Sequence, residues 1–449
     1  MKTPSTLLSA WERTVRSDPG ARALIEAGSG RAWTRSQLDE SAEVWCAAHG
    51  RALARRRVVF SELNGAGWFT VFLGLLKSDA IAVPLDPGEP PAAQRTTAGA
   101  IKASYLWREA ALEPGSRQSR RRDDSRVVKL TSGSTGVPRA IAFTDAQMLA
   151  DGRQVCASMS IHPRDLNFAL IPFGHSYGLG NLVVPLLAQG TPVVCGSAAW
   201  PHAIGTEIAR WQATVFPAVP ALLHALAESD LPANDLKSLR TVISAGAPLA
   251  PEVAQKFEEK FGKKIHGFYG SSETGGITYD RTGSAAREGR SVGRPMEGVR
   301  LLFGRDGRFA VTSRAVVTLG NRGRHGKFGA FRPADIGALN SRGELVLKGR
   351  KGRFVKIAGR RLNLAEVEQA VKRIAGVRGG FVAVHPARAD SLAAVVATDR
   401  SAGELKMALR EKLAPWKIPR QIVVVPELPL TARGKTDTRR LSELLAQAG

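Results

Sequence analysis

A loop of small and hydroxyl-bearing residues is the first feature of this chain that could do chemistry. It lies within LTSGSTGVPRAI at residues 130–141, where Gly133 and Gly136 would allow a close backbone approach and a positive φ. Its hydroxyl donors are Thr131, Ser132, Ser134 and Thr135. Backbone N–H groups and hydroxyls arranged in this way can cradle a phosphate chain. A flexible surface linker has the same composition, so this segment alone leaves both interpretations open.

Two further segments match short catalytic or phosphate-binding signatures. GHSYG at residues 174–178 matches the nucleophile elbow of α/β-hydrolases and follows the apolar run FALIPF, so Ser176 is a candidate nucleophile. Five-residue patterns recur by chance, and no HGGG-type oxyanion segment precedes this one. GKT at 434–436 resembles the end of a P-loop, but Pro429 stands where that motif requires its first glycine. The hydrolase is therefore a remote alternative, and the P-loop is rejected.

The elements that would position these segments alternate between strands and helices. Short apolar runs rich in β-branched residues, such as AIAVPL, TPVVC and TVISAG, are separated by segments of helical period. After TVISAG, residues 251–261 are predicted to form a helix that ends at Gly262, and KIHGFYG returns as a strand. The apolar face of this helix comprises Val253, Phe257 and Phe261. This succession of strand, helix and strand predicts an α/β fold.

The sequence pattern changes after Gly349. A hairpin rich in glycine and arginine is predicted within GRKGRFVKIAGRRLN, and a helix follows with Asn363 and Glu366 as a cap pair. The buried stripe of that helix comprises Val367, Val371 and Ile374. Strand-like FVAVHP and LAAVVAT, a helix around 402–413 and strand-like QIVVVPEL complete the segment. We therefore predict a domain boundary at this change. The predicted domains are residues 1–349 and 350–449.

Composition indicates a globular protein of a reducing compartment. The 449 residues, 43% of them apolar, are enough for two or three domains with sizeable cores. No apolar stretch reaches the roughly 18 residues of a spanning helix, and MKTPSTLLSAWERTV lacks the apolar core of a secretory signal. The three cysteines, Cys46, Cys156 and Cys195, lack the spacing of a zinc site or a disulfide framework. We expect a cytoplasmic protein with no membrane insertion.

The charge of the chain favours an anionic partner. The formal net charge is +24, and residues 341–449 alone contain 22 Lys/Arg against 10 Asp/Glu. Nucleotide, coenzyme, an acidic protein and nucleic acid would all be attracted to such a surface. Nucleic acid is disfavoured because the sequence contains no recognised nucleic-acid recognition module.

Eight segments, taken in order, resemble the adenylate-forming superfamily, which includes acyl- and aryl-CoA synthetases, luciferases and the adenylation domains of peptide synthetases. They are VPLDP at 83–87, LTSGSTGVPRAI at 130–141, FGHSYGLG at 173–180, ISAGAPL at 243–249, FYGSSETGG at 268–276, FRPADIG at 331–337, GRKGRFVKIAGRRLN at 349–363 and PLTARGKTD at 429–437. Each segment alone is weak, but the set is specific and spans nearly the whole chain. The resemblance implies a large N-terminal AMP-binding domain of layered sheets and helices and a small mobile C-terminal α+β domain. It also implies an enzyme that activates a carboxylic acid with ATP and Mg²⁺.

The resemblance assigns most of the nucleotide site to the larger domain. The loop from Thr131 to Gly136 would follow the β- and γ-phosphates of the leaving pyrophosphate. Arg139 stands where most relatives have lysine, and its guanidinium keeps the charge but is larger and bidentate. Gly246 and Ala247 would let the backbone pass along one side of the adenine, and Tyr269 would offer its flat face to the other.

FYGSSETGG would supply the contacts nearest the reacting phosphorus. Gly270 and Ser272 would contact the nucleotide, and Ser272 stands at the usual threonine position near the α-phosphate. Glu273 is the expected Mg²⁺ ligand, with Thr135 of the phosphate loop as a second metal-site residue. Hard oxygen ligands and bridging phosphates suit this cation.

The remaining catalytic positions implied by the resemblance lie towards the C-terminus. Asp335 would accept hydrogen bonds from the ribose hydroxyls, although FRPAD departs from the usual Tyr-Arg-Thr-Gly-Asp, and Arg350 matches the arginine at the domain junction. Lys435 matches the lysine that bridges the substrate carboxylate and the α-phosphate, where a cation acts mainly in the transition state. Gly359 lies in the hairpin that serves thiol attack after domain rotation, and Gly352 occupies the hinge position, usually Asp or Lys.

One position favours an acid that has no α-amino group. Amino-acid-activating relatives place an aspartate after the phenylalanine of the segment PFGHSYG, and Gly174 stands there in this chain. His175 and Tyr177 resemble the pocket entrance of acyl- and aryl-activating members. A lone histidine can equally be structural.

The acceptor is open between CoA and the phosphopantetheine of an acyl carrier protein. CoA carries phosphates and carrier proteins are acidic, so the basic C-terminal part suits both. A non-catalytic relative that binds nucleotide or carrier is the main alternative, since it would explain Arg139, Gly352 and the altered FRPAD. The presence of Glu273, Asp335 and Lys435 argues against that alternative.

Overall fold

The structure, a computed structural model, divides into two compact units. Unit 1 comprises Met1–Phe303, Ala310–Arg332 and Leu339–Val346, and unit 2 comprises Gly304–Phe309, Pro333–Ala338 and Leu347–Gly449. It describes residues 6–88, 91–115, 124–131, 139–198, 200–317, 329–350, 354–357, 360–413, 415–431 and 436–448, with the backbone alone at 131, 350, 354, 356, 360, 361, 363, 389 and 390. The last transfer of the chain from unit 1 to unit 2 is between Val346 and Leu347. The independence of two domains divided at residue 350 stays a prediction.

The α/β fold class predicted from the alternating pattern is confirmed. The strands are β1 Arg22–Glu26, β2 Arg31–Thr34, β3 Arg57–Ser61, β4 Ile81–Leu85, β5 Tyr105–Arg108, β6 Ala111–Pro114, β7 Val127–Thr131, β8 Arg139–Phe143, β9 Asn167–Ala169, β10 Val193–Cys195, β11 Val215–Ala218, β12 Thr241–Ser244, β13 Ile265–Ser271, β14 Gly275–Tyr279, β15 Arg294–Pro295, β16 Arg300–Phe303, β17 Phe309–Ser313, β18 Gly329–Phe331, β19 Asp335–Leu339, β20 Leu345–Arg350, β21 Phe354–Ile357, β22 Arg360–Asn363, β23 Val377–His385, β24 Arg388–Thr398 and β25 Gln421–Val425. The α-helices are α1 Leu7–Ser17, α2 Arg35–His49, α3 Ala66–Lys77, α4 Pro91–Ala100, α5 Asp145–Met159, α6 Ser176–Gly178, α7 Val184–Gln189, α8 Pro201–Trp211, α9 Pro220–Glu228, α10 Pro251–Phe261, α11 Ser284–Glu288, α12 Leu364–Lys372, α13 Ala402–Arg410 and α14 Thr438–Gln447.

A nine-stranded sheet forms one layer of unit 1, in the order β15-β14-β13-β12-β11-β9-β10-β1-β2. Its central strands, from β13 to β1, run parallel to one another. The predicted crossover is confirmed, because β12 and β13 are parallel neighbours joined by α10, which ends at Gly262 in the left-handed conformation. Phe257 and Phe261 of that helix pack with Phe216 and Val242 of the sheet in one apolar core.

A six-stranded sheet forms a second layer, in the order β6-β5-β3-β4-β7-β8. Strands β5, β3, β4 and β7 run parallel, and β8 turns back antiparallel to β7. Smaller sheets have the orders β16-β17-β18 and β19-β20. The apolar helix α3 is buried along most of its length, with Trp68, Phe69 and Phe72 almost fully enclosed. This layering places two sets of parallel strands in the larger unit.

The hairpin and the α+β pattern predicted for the smaller unit are confirmed. Strands β21 and β22 form an antiparallel hairpin, and β23, β24 and β25 form a three-stranded sheet. Val367 and Val371 of α12 face the core, together with Leu405 and Leu409 of α13. The predicted cap pair of Asn363 and Glu366 depends on an asparagine side chain outside the described residues. No helix in the described part of the chain is both long and apolar enough to span a membrane.

A buried carboxylate anchors the chain just before its last passage into unit 2. Glu344, 7% exposed, accepts hydrogen bonds from Arg290 (Nε to Oε2, 3.1 Å), Ser291 (Oγ to Oε2, 2.9 Å) and Asn340 (Nδ2 to Oε2, 3.0 Å). The Arg290 guanidinium, with help from the two neutral donors, lowers the pKa of Glu344 to about 2 against an ordinary 4.5. The start of β20 is thereby tied to the Arg290–Ser291 segment.

The substitution Glu344→Gln is expected to destabilise unit 1 in a pH-dependent way. A folded pKa below the unfolded value means that the stabilisation is complete above pH 4.5 and fades as the pH falls towards 2. At pH 7 the variant should lose about 1.5–3 kcal/mol of unfolding free energy, the usual worth of a hydrogen bond to a charged group. Urea unfolding at several pH values measures this difference, with the exposed Glu40→Gln as the control. A difference that persists unchanged at the lowest pH would contradict the anchor.

Candidate functional site

Most of the predicted site residues of unit 1 follow the carboxyl ends of parallel strands. Strand β9 leads to Gly174 and His175, β12 leads to Gly246 and Ala247, and β13 leads to the turn that contains Glu273. Strands β13, β12, β11 and β9 are consecutive neighbours in the sheet. Carboxyl ends of parallel strands open towards the same edge, which is where open α/β sheets bind ligands.

The predicted phosphate loop lies between two paired antiparallel strands, β7 and β8. Residues 132–138, which include Ser132, Gly133, Ser134, Thr135 and Gly136, lie outside the described residues. Thr131 at the end of β7 pairs directly with Arg139 at the start of β8, and Arg139 is exposed. The cation that replaces the usual lysine therefore lies opposite the first residue of the loop, and the phosphate roles stay predictions.

Glu273 lies in a short turn between the antiparallel strands β13 and β14. The Thr274 N–H donates to the Ser271 carbonyl (3.3 Å) and closes the turn. The Val317 N–H donates to the Glu273 carbonyl (3.1 Å), so the main chain of Glu273 is held from outside its hairpin as well. Both Glu273 and Ser272 are partly exposed. A carboxylate is the kind of hard oxygen ligand that Mg²⁺ prefers, and the role of Glu273 as a metal ligand stays a prediction.

A buried ion pair, which the sequence patterns did not indicate, lies behind this turn. Lys129 of β7 is 1% exposed, and its Nζ is 3.7 Å from Asp151 Oδ2 of α5 and 4.3 Å from the centre of the Phe143 ring. Burial lowers the pKa of Lys129, and the negative charges of Asp151 and, more weakly, Glu273 act to raise it. Glu273 is thus within electrostatic range of the strand that leads into the predicted phosphate loop. The only sequence signal was a lysine in the otherwise apolar strand VVKLT.

Helix α5 holds the Glu273 turn on two sides. Asp151 Oδ1 accepts the Gly276 N–H (3.1 Å), just after the turn. Gln147 Nε2, one helical turn earlier, donates to the Val316 carbonyl (3.1 Å), beside the Val317 N–H that holds Glu273. A side chain at Gly275, where φ is +67°, would collide with the Asp151 carboxylate. We call this arrangement, in which Gln147 and Asp151 hold residues 273–276 and 316–317, the α5 clamp.

The predicted adenine-binding residues lie on neighbouring strand ends. Ser244 of β12 pairs with Gly267 of β13, so Gly246 and Tyr269 are each two residues beyond a paired position. Gly246 adopts φ +89°, which favours glycine, and both Gly246 and Ala247 are exposed. Tyr269 is partly exposed and Gly270 is exposed. Tyr269 and the exposed Gly246–Ala247 segment therefore lie near the same edge of the sheet, and their contacts with adenine stay predictions.

The predicted substrate entrance is packed against the second sheet. A Cβ on Gly174 would lie 2.9 Å from Pro84 Cβ of β4, so the backbone at this position has no room for a side chain without movement. His175 Nδ1 accepts the Tyr177 N–H (3.3 Å). The buried Tyr177 hydroxyl donates to the Ile243 carbonyl of β12 (3.4 Å), and burial raises the pKa of this phenol. The structure therefore joins the β9, β4 and β12 ends at this entrance.

The nucleophile-elbow interpretation of Ser176 is wrong. An elbow places its serine on a strained turn between a strand and a helix. Ser176 is instead the first residue of α6, after His175 with its extended backbone, and it is absent from the left-handed region of φ. It begins a continuous helical segment through Leu179–Val183 and α7. GHSYG is a helix start here, so the match to the hydrolase motif was fortuitous.

The other predicted positions belong to unit 2 or lie outside the described residues. Asp335 begins β19 and is half-buried. Arg350 ends β20, with its side chain outside the described residues, as are Gly352, Gly359 and Lys435. Leu430 forms a β-bridge with Thr436 immediately after Lys435. The roles of all five stay predictions. Among the residues whose side chains are described, no group of three or more His, Cys, Asp or Glu is arranged to hold a metal ion.

Family comparisons cover most of this architecture. Residues 97–303 match the AMP-binding enzyme family, and residues 366–435 match the AMP-binding enzyme C-terminal domain family. The two matches together cover more than half of the chain and include the Glu273 turn, the Gly174 entrance and Lys435. Both families were implied by the eight sequence segments.

Individual relatives are similar over about 70% of the chain. Benzoate–CoA ligase of Thauera aromatica is 29% identical over an alignment of length 350 that covers 72% of this chain and 66% of that protein. Long-chain-fatty-acid–CoA ligase of Bacillus subtilis is 26% identical over an alignment of length 354 that covers 71% of this chain and 62% of that protein. The matches thus span less than two thirds of these relatives' own length.

A solved structure shares the fold over its full length. The crystal structure of ATP-bound MatB from Rhodopseudomonas palustris superposes with a TM-score of 0.82 at 19% identity, covering 98% of this chain and 99% of that one. At this identity the likeness establishes the fold alone. The large layered domain and small C-terminal domain expected from the sequence are therefore confirmed.

Proposed function

Because the chain belongs to the AMP-binding, adenylate-forming superfamily, we propose that it is an AMP-forming acid–thiol ligase acting on a carboxylic acid without an α-amino group. In the first half-reaction the carboxylate oxygen attacks the α-phosphorus of ATP. The new oxygen–phosphorus bond replaces the bond to the bridging oxygen, and pyrophosphate leaves. In the second, a thiolate of CoA or of carrier-bound phosphopantetheine attacks the acyl carbonyl, and AMP leaves.

One observation carries the adenylation proposal. Asp151 contacts both the Glu273 turn and Lys129, which is two residues before the predicted phosphate loop begins at Thr131. Its Oδ1 accepts the Gly276 N–H (3.1 Å), and its Oδ2 is 3.7 Å from Lys129 Nζ. The expected metal ligand and the expected phosphate loop are therefore on adjoining elements of unit 1. Repulsion between carboxylate and triphosphate is the main obstacle to the reaction, so convergent fixed charges at this point are what the chemistry needs.

Each group of site residues is proposed to bind a different part of the substrates. Tyr269, Gly246 and Ala247 would bind the adenine, and Asp335 would accept hydrogen bonds from the ribose. Thr131 to Gly136, with Arg139, would bind the β- and γ-phosphates as they leave. Glu273 would hold Mg²⁺, which supplies positive charge to the phosphate oxygens when bound. Lys435 would bridge the two reacting anions in the transition state.

The contact between Gly174 and Pro84 supports an acid without an α-amino group. An ammonium-binding aspartate at position 174 would need space that Pro84 already occupies, since even a Cβ would approach to 2.9 Å. A contact tighter than van der Waals distance forces backbone movement. His175 and the buried Tyr177 then define a pocket entrance without an anionic side chain at position 174. Fatty acids and aryl acids are both compatible with this arrangement.

The acceptor is proposed to be an anionic thiol carrier. Residues 341–449 contain 22 Lys/Arg against 10 Asp/Glu, which complements both the phosphates of CoA and the surface of an acidic carrier protein. A direct comparison of CoA with an acidic carrier protein as acceptor, followed by mass detection of the thioester, separates the two. Transfer to the carrier protein should weaken as salt concentration rises, because long-range attraction is screened.

Acid-dependent ATP–pyrophosphate exchange tests the proposal. A panel of fatty, aryl and amino acids should give exchange with one class of acid that lacks an α-amino group, and none when acid is omitted. Exchange with amino acids alone would contradict the interpretation of Gly174. If no acid of the panel supports exchange although calorimetry shows that ATP binds, the interpretation as a non-catalytic relative would be favoured instead.

A further inference from the structure

The buried pair formed by Lys129 and Asp151 connects three elements of the site. Lys129 is on β7, which leads into the predicted phosphate loop, and Asp151 is on α5. Asp151 also accepts the Gly276 N–H at the end of the Glu273 turn. Both residues are at most 3% exposed, and Lys129 Nζ makes no hydrogen bond to another described residue. An ionic pair buried so completely gains little stability over an apolar pair, so its presence calls for another role.

The α5 clamp explains how this pair can influence the position of the reacting groups without contacting them. Asp151 holds the turn after Glu273, and Gln147 holds Val316 next to the Val317 N–H that binds the Glu273 carbonyl. Helix α5 is itself fixed against the helical segment below the substrate entrance, because Gly152 packs so closely on Val184 that a side chain would collide. The Lys129–Asp151 pair is then the tie between β7 and this fixed helix.

We propose that Lys129 and Asp151 are positioning residues for adenylation, which hold the strand before the phosphate loop in register with the Glu273 turn. This inference rests on the proposed function, because the register concerns Mg·ATP. Loss of the tie would let β7 and the loop that follows it shift relative to Glu273. Binding of Mg·ATP would then weaken, while binding of the carboxylic acid at the Gly174 entrance would be unaffected.

A double substitution separates positioning from stability. Lys129→Met and Asp151→Asn each leave one buried charge without its partner and are expected to destabilise the fold. The double variant Lys129→Met/Asp151→Asn removes both charges, keeps both shapes and retains an amide oxygen for the Gly276 N–H. It should therefore recover most of the thermal stability that the single variants lose. Its KM for Mg·ATP should nevertheless rise about tenfold, with the KM for the acid unchanged, as expected for groups that orient metal ligands.

An ion pair elsewhere in unit 1, in which the carboxylate is buried and the arginine is exposed, provides the control. Asp165, 5% exposed, pairs with Arg240 at 2.7 Å (Nη2 to Oδ2) and lies outside the α5 clamp. Asp165→Asn should lower the unfolding temperature without changing the KM for Mg·ATP. An equal rise of this KM in Asp165→Asn would mean that general destabilisation explains the effect, and would overturn the proposal.

The readouts distinguish failure of this inference from failure of the proposed function. A double variant with the unfolding temperature and both KM values of the unmodified protein would overturn the positioning role alone. If the unmodified protein gives no exchange with any acid, titration calorimetry with Mg·ATP replaces kinetics, and the double variant should bind about tenfold more weakly. Equal binding would overturn the inference, and absence of Mg·ATP binding by the unmodified protein would overturn both proposals.

Discussion

Replacing Lys435 with alanine is expected to slow acid-dependent ATP–pyrophosphate exchange by about 10²-fold or more, the usual effect of removing one preorganised electrostatic donor. A carboxylate and an α-phosphate repel each other most strongly as they meet, so a cation between them stabilises the transition state more than either ground state. The loss should therefore appear in kcat, with a small change in the KM for ATP.

The second half-reaction gives an internal test of this role. Chemically prepared acyl-adenylate needs no attack on phosphorus, so the Lys435→Ala variant should convert it to thioester at nearly the rate of the unmodified protein. The exposed Lys412 of the same unit supplies the control, since Lys412→Ala removes one positive charge without altering exchange. Near-normal pyrophosphate exchange by Lys435→Ala would refute the proposed role of this lysine in adenylation.

Glu273→Gln is expected to lower kcat/KM for Mg·ATP by about 10²-fold, because the variant keeps the shape of the side chain and loses the anionic oxygen. Mg²⁺ is bound by few protein carboxylates, with phosphates and water completing its octahedron, so each carboxylate matters. The Mg²⁺ concentration needed for half-maximal exchange should rise in parallel. The main-chain bonds of the turn, including the Val317 N–H to the Glu273 carbonyl, remain available in the variant.

The control for Glu273→Gln is an acid of the same unit on an exposed helix surface. Glu259 of α10 is exposed, and Glu259→Gln should leave the Mg²⁺ dependence unchanged. An unfolding temperature within a degree or two of the parent would show that the turn survives the change. Unaltered Mg²⁺ dependence in the Glu273 variant would refute its role as a metal ligand.

Local patterns were sufficient to predict the elements that carry the site. Residues 251–261 have both a helical apolar face and a terminal glycine, and α10 has these bounds. The flanking strands β12 and β13 were equally clear, because apolar β-branched runs and short connections specify a crossover without reference to the rest of the chain. The placement of Gly246, Ala247 and Glu273 after strand ends followed from those bounds.

Contacts between distant segments could not be predicted in this way. The buried Lys129 is paired with Asp151, which is 22 residues later in the chain and lies on helix α5. Gly174, which follows β9 of one sheet, lies close to Pro84, which is on β4 of the other sheet. The spacing of apolar residues along the sequence does not specify the distance between two sheets. The interpretation of Ser176 as a nucleophile was wrong for a related reason, since a five-residue motif does not specify the backbone angles that a nucleophile elbow needs.

The α5 clamp also bears on how freely this site can change its residues. Both contacts with the turn are made to its main-chain atoms. Asp151 accepts the Gly276 N–H directly, whereas Gln147 acts through the Val316–Val317 segment, whose Val317 N–H donates to the Glu273 carbonyl. Main-chain atoms are common to all residues, so the side chain at Ser272 can be exchanged without loosening the turn. The residue at position 272 can therefore change while the backbone geometry of the turn stays the same. A saturation library at position 272 should therefore sample changes in catalytic behaviour on a nearly constant backbone, which makes this turn a favourable starting point for directed evolution.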